Sequence, residues 1–246
     1  MNIALITGAS SGLGRELALR VAADEKIDKI LLIARRECRL TELAEMIGEK
    51  AQPLALDLTS EDMLEKIDRA VGDNSLTLAV NCAGFGKMGA VGLPDEQQAG
   101  MVELNCTALT KICAYCASKM PNGAKIINVA SIAAFVPTPN LAVYGATKAY
   151  VLSLSKAMHK ELKDKGISVT AVCSGPIDTE FFAVAGIKNS KLFDSLIHMT
   201  PQYVAKRALK ASKKGRWVCT PHPLYKAYRV LSKLIPDKIF INFTKA

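Results

Sequence analysis

The sequence lacks an apolar run long enough to cross a membrane. The longest candidate, residues 124–146, is interrupted by a lysine, two asparagines and two prolines, whereas a spanning helix needs roughly 18 consecutive apolar residues. Residues 1–8 carry neither the basic leader nor the apolar stretch of a secretory signal. These absences argue against an integral membrane protein and against export.

Cysteine and histidine are too few and too scattered to indicate a disulfide framework or a metal centre. The seven cysteines are an odd number in a chain that is large enough to need no covalent staples, which favours a reducing, cytoplasmic location. Cys113 and Cys116 form one Cys-x-x-Cys pair, but no second ligand pair stands at zinc spacing, and the three histidines are isolated. No metal is therefore predicted.

Acidic residues are almost missing from the last part of the chain. Residues 201–246 contain eleven Lys or Arg and one Asp, although the net charge of the whole chain is only +9. Around residues 225–235 the cations alternate with apolar residues at helical spacing, which fits a solvated helix face, a contact with a second subunit or an acidic carrier protein, or weak docking on a membrane. Nucleic acid is not an expected partner, because neither aromatic platforms nor a groove-reading helix accompanies the charge.

Apolar runs of strand length alternate with segments of helical periodicity along the chain. The predicted strands are residues 3–7, 29–34, 51–57, 76–81, 125–131, 168–174 and 216–219. Such near-continuous apolar runs are typical of parallel strands covered on both faces, and right-handed crossovers then give a doubly wound fold. We predict one α/β domain over residues 1–246, with a Rossmann-type parallel sheet of about seven strands and helices on both faces.

Three features predict where helices begin. Thr59 followed by Asp62 has the spacing of a capping box, and Thr200 precedes a proline, Pro201, suited to the first helical position. Residues 141–165 have the periodicity of one long amphipathic helix.

A glycine-rich turn follows the first predicted strand and opens a helix. Glycines allow a tight turn and let backbone N–H groups approach a pyrophosphate, which the positive end of the helix attracts. A dinucleotide is therefore expected here, in contact with Gly8, Ser10, Ser11, Gly12, Leu13 and Gly14.

The end of the second predicted strand carries two arginines where an NAD site would carry an acid. Twenty residues after Gly14 stands Ala34, followed by Arg35 and Arg36. Two guanidinium groups would bind a 2′-phosphate through charge-assisted hydrogen bonds, which predicts NADP(H). The alternative is a solvated charge cluster at the start of a helix.

Four polar residues stand in a suggestive order along the predicted elements. Tyr144 and Lys148 are four apart on one predicted helix, so their side chains project from the same face. Ser131 ends the fifth predicted strand, and Asn105 lies in the helix after the fourth. Together with the glycine turn, this set resembles the short-chain dehydrogenase/reductase family over roughly residues 3–179.

The resemblance implies a mechanism for reducing a carbonyl compound with NADPH, or reversibly for oxidising an alcohol. Tyr144 would give its proton to the carbonyl oxygen. The nearby Lys148 ammonium, together with the positive charge of the oxidised nicotinamide, would lower the tyrosine pKa, and Lys148 would also hold the ribose hydroxyls. Ser131 would bind the carbonyl oxygen. Asn105 would anchor a water that relays protons.

Further positions match the family's cofactor contacts. Asp57 and Leu58 correspond to the residues that cap the adenine. Residues 81–84, Asn-Cys-Ala-Gly, are similar to the family's Asn-Asn-Ala-Gly. The resemblance makes Asn81 a brace of the central sheet and adds Ala83 and Gly84 to the cofactor site.

Residues 174–179 are similar to the family's Pro-Gly-x-Val-x-Thr, with Ser174 in place of its proline. The resemblance gives Ile177 and Thr179 the contacts to the nicotinamide carboxamide.

Residues 181–200 are rich in large apolar side chains and stand where the family folds a lid over its substrate. They favour a lipophilic substrate such as a ketone, aldehyde, 3-oxoacyl thioester or oxosteroid, and the same crevice is expected to include Phe85, Met88, Phe135 and Val136. The alternative for these side chains is that they pack the lid on the core.

At the level of function, the alternative is a non-catalytic NADP(H)-binding sensor or scaffold of the same fold. The four intact catalytic candidates count against it, because a protein without turnover has no chemical need for all of them. A homo-oligomer is expected.

Overall fold

The computed structural model describes residues 1–89, 95–187 and 196–244 of the chain. Within them, seven parallel strands form one sheet in the order β3-β2-β1-β4-β5-β6-β7. The strands are β1 Asn2–Thr7, β2 Lys29–Ala34, β3 Ala51–Ala55, β4 Ser75–Asn81, β5 Lys125–Val129, β6 Ser168–Val172 and β7 Val218–Cys219. The predicted doubly wound fold is confirmed, and the strand order reverses between β1 and β4.

Helices cover both faces of the sheet. Their bounds are α1 Gly12–Ala22, α2 Glu37–Ile47, α3 Met63–Val71, α4 Asp95–Val102, α5 Leu109–Lys119, α6 Ala142–Glu161, α7 Phe181–Ala185, α8 Pro201–Lys213, α9 Pro223–Leu231 and α10 Asp237–Phe240. A π-helical turn, Glu103–Ala108, joins α4 to α5. Short 3₁₀ turns occupy Ile132–Ala134 and Ile241–Phe243. None of the helices in the described part of the chain is long and apolar enough to cross a membrane.

Side chains of each strand alternate between two apolar layers. In β1, Ile3 and Leu5 pack with α3, α5 and α6, whereas Ala4 and Ile6 pack with α1, α2 and α8. Because the strands are apolar at most positions and their side chains alternate with a period of two, the sheet needs helices on both faces.

Two of the predicted helix boundaries differ from the structure. The capping box at Thr59 is wrong, because the Asp57 carboxylate accepts hydrogen bonds from both the Thr59 N–H and its hydroxyl, and α3 begins only at Met63. The long helix ends at Glu161 rather than at residue 165, since the chain turns towards β6 through Gly166 at a φ of +70°. The cap at Thr200 is confirmed: its hydroxyl accepts from the Tyr203 N–H at 3.3 Å.

A buried hydrogen-bond network joins β4, β5 and α6. The Asn81 amide donates to Asn128 Oδ1 at 2.8 Å, and the Asn128 amide donates to Ser155 Oγ at 3.0 Å. Ser155 in turn donates to the Val151 carbonyl at 2.6 Å. The network fixes the position of α6 against the centre of the sheet.

We expect Asn128→Ala to lower the free energy of unfolding by about 2 kcal/mol, because it removes the buried amide that bonds both Asn81 and Ser155 and leaves the Asn81 amide only its 3.5 Å contact with Cys113 Sγ. The matched control is Asn242→Ala, an exposed asparagine, with an expected change within about 0.5 kcal/mol. Urea denaturation followed by circular dichroism measures both. Equal, small losses in the two variants would contradict a bracing role for the network.

Candidate active site

The carboxyl ends of the strands open into a cleft of about 940 Å³. It lies at the point where the strand order reverses, the usual ligand position in an open parallel sheet. Among the predicted site residues, those that line it are Gly8, Ser10, Ser11, Gly12, Leu13, Gly14, Arg35, Arg36, Asp57, Leu58, Ala83, Gly84, Ser131, Tyr144, Lys148, Ile177 and Thr179. Asn81 and Asn105 are instead buried behind the cleft wall.

The glycine turn is held by backbone contacts that leave no room for a side chain. At Gly8, where φ is +68°, a Cβ would lie 2.8 Å from the Ala83 nitrogen. At Gly12, where φ is +53°, a Cβ would lie 2.9 Å from Thr179 Cγ2. The turn therefore touches both the segment after β4 and the segment after β6.

Thr7, which sequence reasoning did not select, fastens this turn to β4. Its buried hydroxyl accepts hydrogen bonds from the N–H groups of Cys82 and Ala83, at 3.0 and 3.1 Å. The sequence does show a threonine at the end of the first strand. Its role can be inferred only when β1 and β4 are known to be neighbouring strands.

The two arginines lie at the rim of the cleft beside the glycine turn. The Arg36 guanidinium donates to Ser11 Oγ at 2.7 Å, to Ser10 Oγ at 3.2 Å and to Glu180 Oε2 at 2.8 Å. These contacts hold the pKa of Glu180 below its usual range, chiefly through the hydrogen bond from Arg36. Sequence reasoning missed Glu180, which stands 144 residues away from its partner.

Asp57 marks the neighbouring part of the rim. The hydrogen bonds from the Thr59 backbone and hydroxyl lower the pKa of this carboxyl, and the Arg35 charge lowers it further. Arg35 and Arg36 thus lie near the turn serines and Asp57, as a site for the phosphorylated ribose would require.

Tyr144 and Lys148 project from α6 into the cleft, and both are more than nine-tenths buried. Lys148 Nζ donates to the Val129 carbonyl at 2.9 Å and lies 5.7 Å from the centroid of the Tyr144 ring. Ser131 Oγ accepts a hydrogen bond from the Ala133 N–H at 3.2 Å, and it lowers the pKa of Tyr144. Three of the four predicted catalytic residues therefore meet at one point of the cleft wall.

Burial dominates the protonation of this group. It raises the pKa of Tyr144 to about 12, against the opposing effect of the Ser131 hydrogen bond, and it lowers the pKa of Lys148 to about 8. In the polypeptide by itself, removal from water penalises the phenolate more than Ser131 stabilises it. The joint effect of Lys148 and the oxidised nicotinamide on the tyrosine pKa stays a prediction.

Asn105 lies in the π-helical turn between α4 and α5 and positions backbone rather than lining the cleft. Its side chain accepts from the Phe85 N–H at 3.1 Å and donates to the Phe85 carbonyl at 2.8 Å and to Thr147 Oγ1 at 3.1 Å. A Cβ on Gly84 would lie 2.8 Å from Asn105 Oδ1 and 3.4 Å from Lys148 Nζ, so a glycine is needed between them. A water held by Asn105 stays a prediction.

The substrate end of the cleft is mainly apolar. Of the crevice residues expected from sequence, Phe85 lines it, whereas Phe135 packs on Tyr228 at a ring distance of 6.2 Å and Val136 is buried. Met88 packs beside Tyr144 rather than facing the cleft. Lining residues from the predicted lid are Phe181, Phe182, Val184, Ile187 and Leu196, and residues 188–195 of that lid lie outside the described residues.

The basic C-terminal segment, residues 201–246, contributes a second wall that sequence reasoning did not foresee. The predicted amphipathic helix forms as α9 and turns one face to the cleft, where it and the following turns contribute Leu224, Tyr225, Ala227, Tyr228, Leu231, Phe240 and Thr244.

Two anchors hold this wall. The Tyr225 ring packs directly on Gly175, and its hydroxyl donates to the Ile197 carbonyl at 2.7 Å. At the far end, the Thr244 hydroxyl donates to the Pro137 carbonyl at 2.9 Å.

Within residues 1–89, 95–187 and 196–244, no group of three or more His, Cys, Asp or Glu side chains is placed to hold a metal ion. All seven cysteines are free thiols.

Comparison with known proteins agrees with this geometry. Residues 2–189 match the family model described as short chain dehydrogenase. A serine 3-dehydrogenase of Agrobacterium fabrum is 34% identical over 202 residues, which cover 78% of each chain.

Solved structures agree as well. A short-chain dehydrogenase from Sphingobium yanoikuyae in complex with NADPH superposes with a TM-score of 0.80 at 29% identity, covering 96% of this chain and 97% of that one. A 3-ketoacyl-(acyl-carrier-protein) reductase from Brucella melitensis complexed with NADH gives 0.76 at 27% identity, covering 88% and 94%. With its seven-stranded sheet, its glycine turn and its Ser131, Tyr144 and Lys148 in one cleft, this chain belongs to the short-chain dehydrogenase/reductase family of oxidoreductases.

Proposed function

We propose that the protein is an NADP(H)-dependent oxidoreductase that reduces the carbonyl group of a lipophilic compound, or oxidises the corresponding alcohol. The observation that supports this most is the meeting of Ser131, Tyr144 and Lys148 in the wall of a cleft whose substrate end is mainly apolar. A ketone, aldehyde, 3-oxoacyl thioester or oxosteroid would each fit that chemistry.

The residues present suit a phosphorylated dinucleotide. The tight glycine turn supplies backbone N–H groups at the start of α1, and the turn serines and two arginines supply donors for a 2′-phosphate. Asp57 and Leu58 would flank the adenine, and Ile177 and Thr179 would bind the carboxamide. When bound, the cofactor would supply the hydride.

The protein side of the reaction is a proton transfer. Because burial raises the pKa of Tyr144 to about 12, its hydroxyl is protonated at neutral pH and can donate to the carbonyl oxygen. Ser131, which lines the same part of the cleft, would hold that oxygen in place. The Lys148 ammonium would stabilise the phenolate left behind, and it carries that charge only below about pH 8.

The seven free thiols support a reducing, cytoplasmic location for this enzyme. The homo-oligomer expected from the sequence stays a prediction, which light scattering of the purified protein tests.

We expect Tyr144→Phe to abolish turnover while NADPH affinity stays within a few-fold, because the change removes the proton donor and little cofactor contact. The matched control is Tyr150→Phe, on the same helix but exposed and bonded to Thr110. NADPH oxidation over a panel of ketones and aldehydes, with cofactor binding followed by fluorescence, gives both quantities. Near-normal turnover by Tyr144→Phe would sink the catalytic assignment, and a wild type that binds NADPH without any turnover would favour the sensor alternative.

The dependence of kcat/KM on pH should follow the protonation of Lys148. As pH rises through about 8, the ammonium loses its proton and its stabilisation of the phenolate, so kcat/KM for carbonyl reduction should fall. Tyr144, with a pKa of about 12, stays protonated over this interval and cannot cause the fall. A kcat/KM that is level from about pH 7 to 9.5 would contradict a catalytic charge on Lys148.

We expect Arg35→Ala to weaken NADPH binding by about 2 kcal/mol and NADH binding far less, because only NADPH carries the 2′-phosphate. Arg39→Ala is the control, since Arg39 is exposed on the same helix start and reaches only Glu180, at 3.9 Å. Titration of both cofactors by calorimetry decides the matter. Equal losses for the two cofactors would show that Arg35 does not bind the phosphate.

A further inference from the structure

Helix α9 exposes apolar side chains beside the mouth of the cleft. Leu224 and Leu231 line the cleft and yet are 53% and 47% exposed, and Val230 is 54% exposed. At 100° per residue, these three and Ala227 fall within one third of the helix circumference. Leu234, which is 74% exposed, lies in the turn that follows the helix, and its N–H donates to the Leu231 carbonyl at 2.9 Å. One continuous apolar strip therefore borders the mouth on the outer side of α9. It lies within residues 224–234 and consists of Leu224, Ala227, Val230, Leu231 and Leu234.

Cations border this apolar strip. Lys226 and Lys233 are exposed on the adjoining side of the helix, and Lys238 is exposed on α10 next to Ile239, itself 54% exposed. In the part of the chain that the structure describes, none of these three lysines forms a salt bridge with a carboxylate. Apolar and positive groups therefore share one outward surface.

The positive charge also accumulates behind the strip. Lys156 of α6 has a lowered pKa, first because of burial and then because of the charges of Lys233 and Arg229. Arg229 turns inward and donates to Thr220 Oγ1 at 3.4 Å. No acidic residue occurs between Pro201 and Pro236 to offset these charges.

The combination of apolar and positively charged side chains distinguishes two candidate partners of the strip, a second copy of this chain and an anionic membrane. In a contact with a second copy through this patch, the lysines of both copies would enter one interface, and residues 201–236 offer no acidic side chain to pair with them. An anionic lipid surface attracts the lysines and accepts the apolar side chains at the boundary between headgroups and acyl chains. The surface is complementary to the membrane and not to itself.

We propose that the C-terminal segment docks the mouth of the cleft on an anionic membrane surface, with the apolar strip inserted shallowly and Lys226, Lys233 and Lys238 at the headgroups. The anchors of Tyr225 on Gly175 and of Thr244 on Pro137 keep the strip facing outward. A lipophilic carbonyl substrate then passes between bilayer and cleft without crossing water, a step that rests on the proposed function.

The test is co-sedimentation with vesicles of phosphatidylcholine alone and of phosphatidylcholine with about one third phosphatidylglycerol. Two double variants remove the two components of the surface without touching cleft residues: Val230→Ser with Leu234→Ser, and Lys226→Ser with Lys233→Ser. The matched control is Lys160→Ser with Lys163→Ser, two exposed lysines near the amino-terminal end of β6, opposite the cleft.

We expect binding to anionic vesicles at low ionic strength, loss of that binding in high salt, and a bound fraction lowered more than about fivefold in each double variant but not in the control. Absence of binding to anionic vesicles, or an equal loss in the control, would overturn the proposal. The proposal would also be overturned if light scattering showed that the Val230→Ser with Leu234→Ser variant dissociates an oligomer while its vesicle binding is unchanged. Reduction of a short water-soluble ketone should be unchanged in both variants, so loss of docking and failure of the proposed function are read separately.

Discussion

The arrangement of the cleft depends on the contact between the first turn of the chain and the end of β4. The Thr7 hydroxyl ties two N–H groups after β4 to the end of β1, and Gly8 lies directly against Ala83. One side of this contact leads to the turn serines beneath Arg36, and the other leads through Gly84 to Lys148. The separation between the arginines at the rim and the Tyr144–Lys148 pair is therefore set where the ends of β1 and β4 pack together.

The acid–base pair is placed where neither partner is comfortably charged. Burial disfavours the Tyr144 phenolate and the Lys148 ammonium together, so each group stands to gain if the other becomes ionised. When Tyr144 loses its proton, the resulting phenolate is a negative charge beside the Lys148 ammonium, which otherwise has no such neighbour among the residues that the structure describes. In the proposed reaction, proton transfer and electrostatic stabilisation would then be parts of one event in the buried wall of the cleft.

The sequence was sufficient for the strands, their parallel pairing and the order of the motif residues, because these depend on local periodicity and on short spacings. It was insufficient for contacts that depend on where distant segments pack. Glu180 contacts Arg36 although the two residues are 144 positions apart in the chain. The sequence of α9 indicated which face of the helix is apolar, but it did not indicate that this face lines the cleft. The raised pKa of Tyr144 in the polypeptide was out of reach for the same reason, since the extent of its burial is a property of the packed structure.

The distribution of the seven thiols makes the protein selectively accessible to chemical labelling. Cys113, Cys116, Cys173 and Cys219 are buried, and burial raises the pKa of Cys82 and Cys106, which keeps both as unreactive thiols. Cys38 is the exposed member of the set and stands two residues after Arg36, at the start of α2. A maleimide dye on Cys38 would stand beside the arginines at the rim of the cleft, and the native chain therefore carries its own attachment point for an optical reporter.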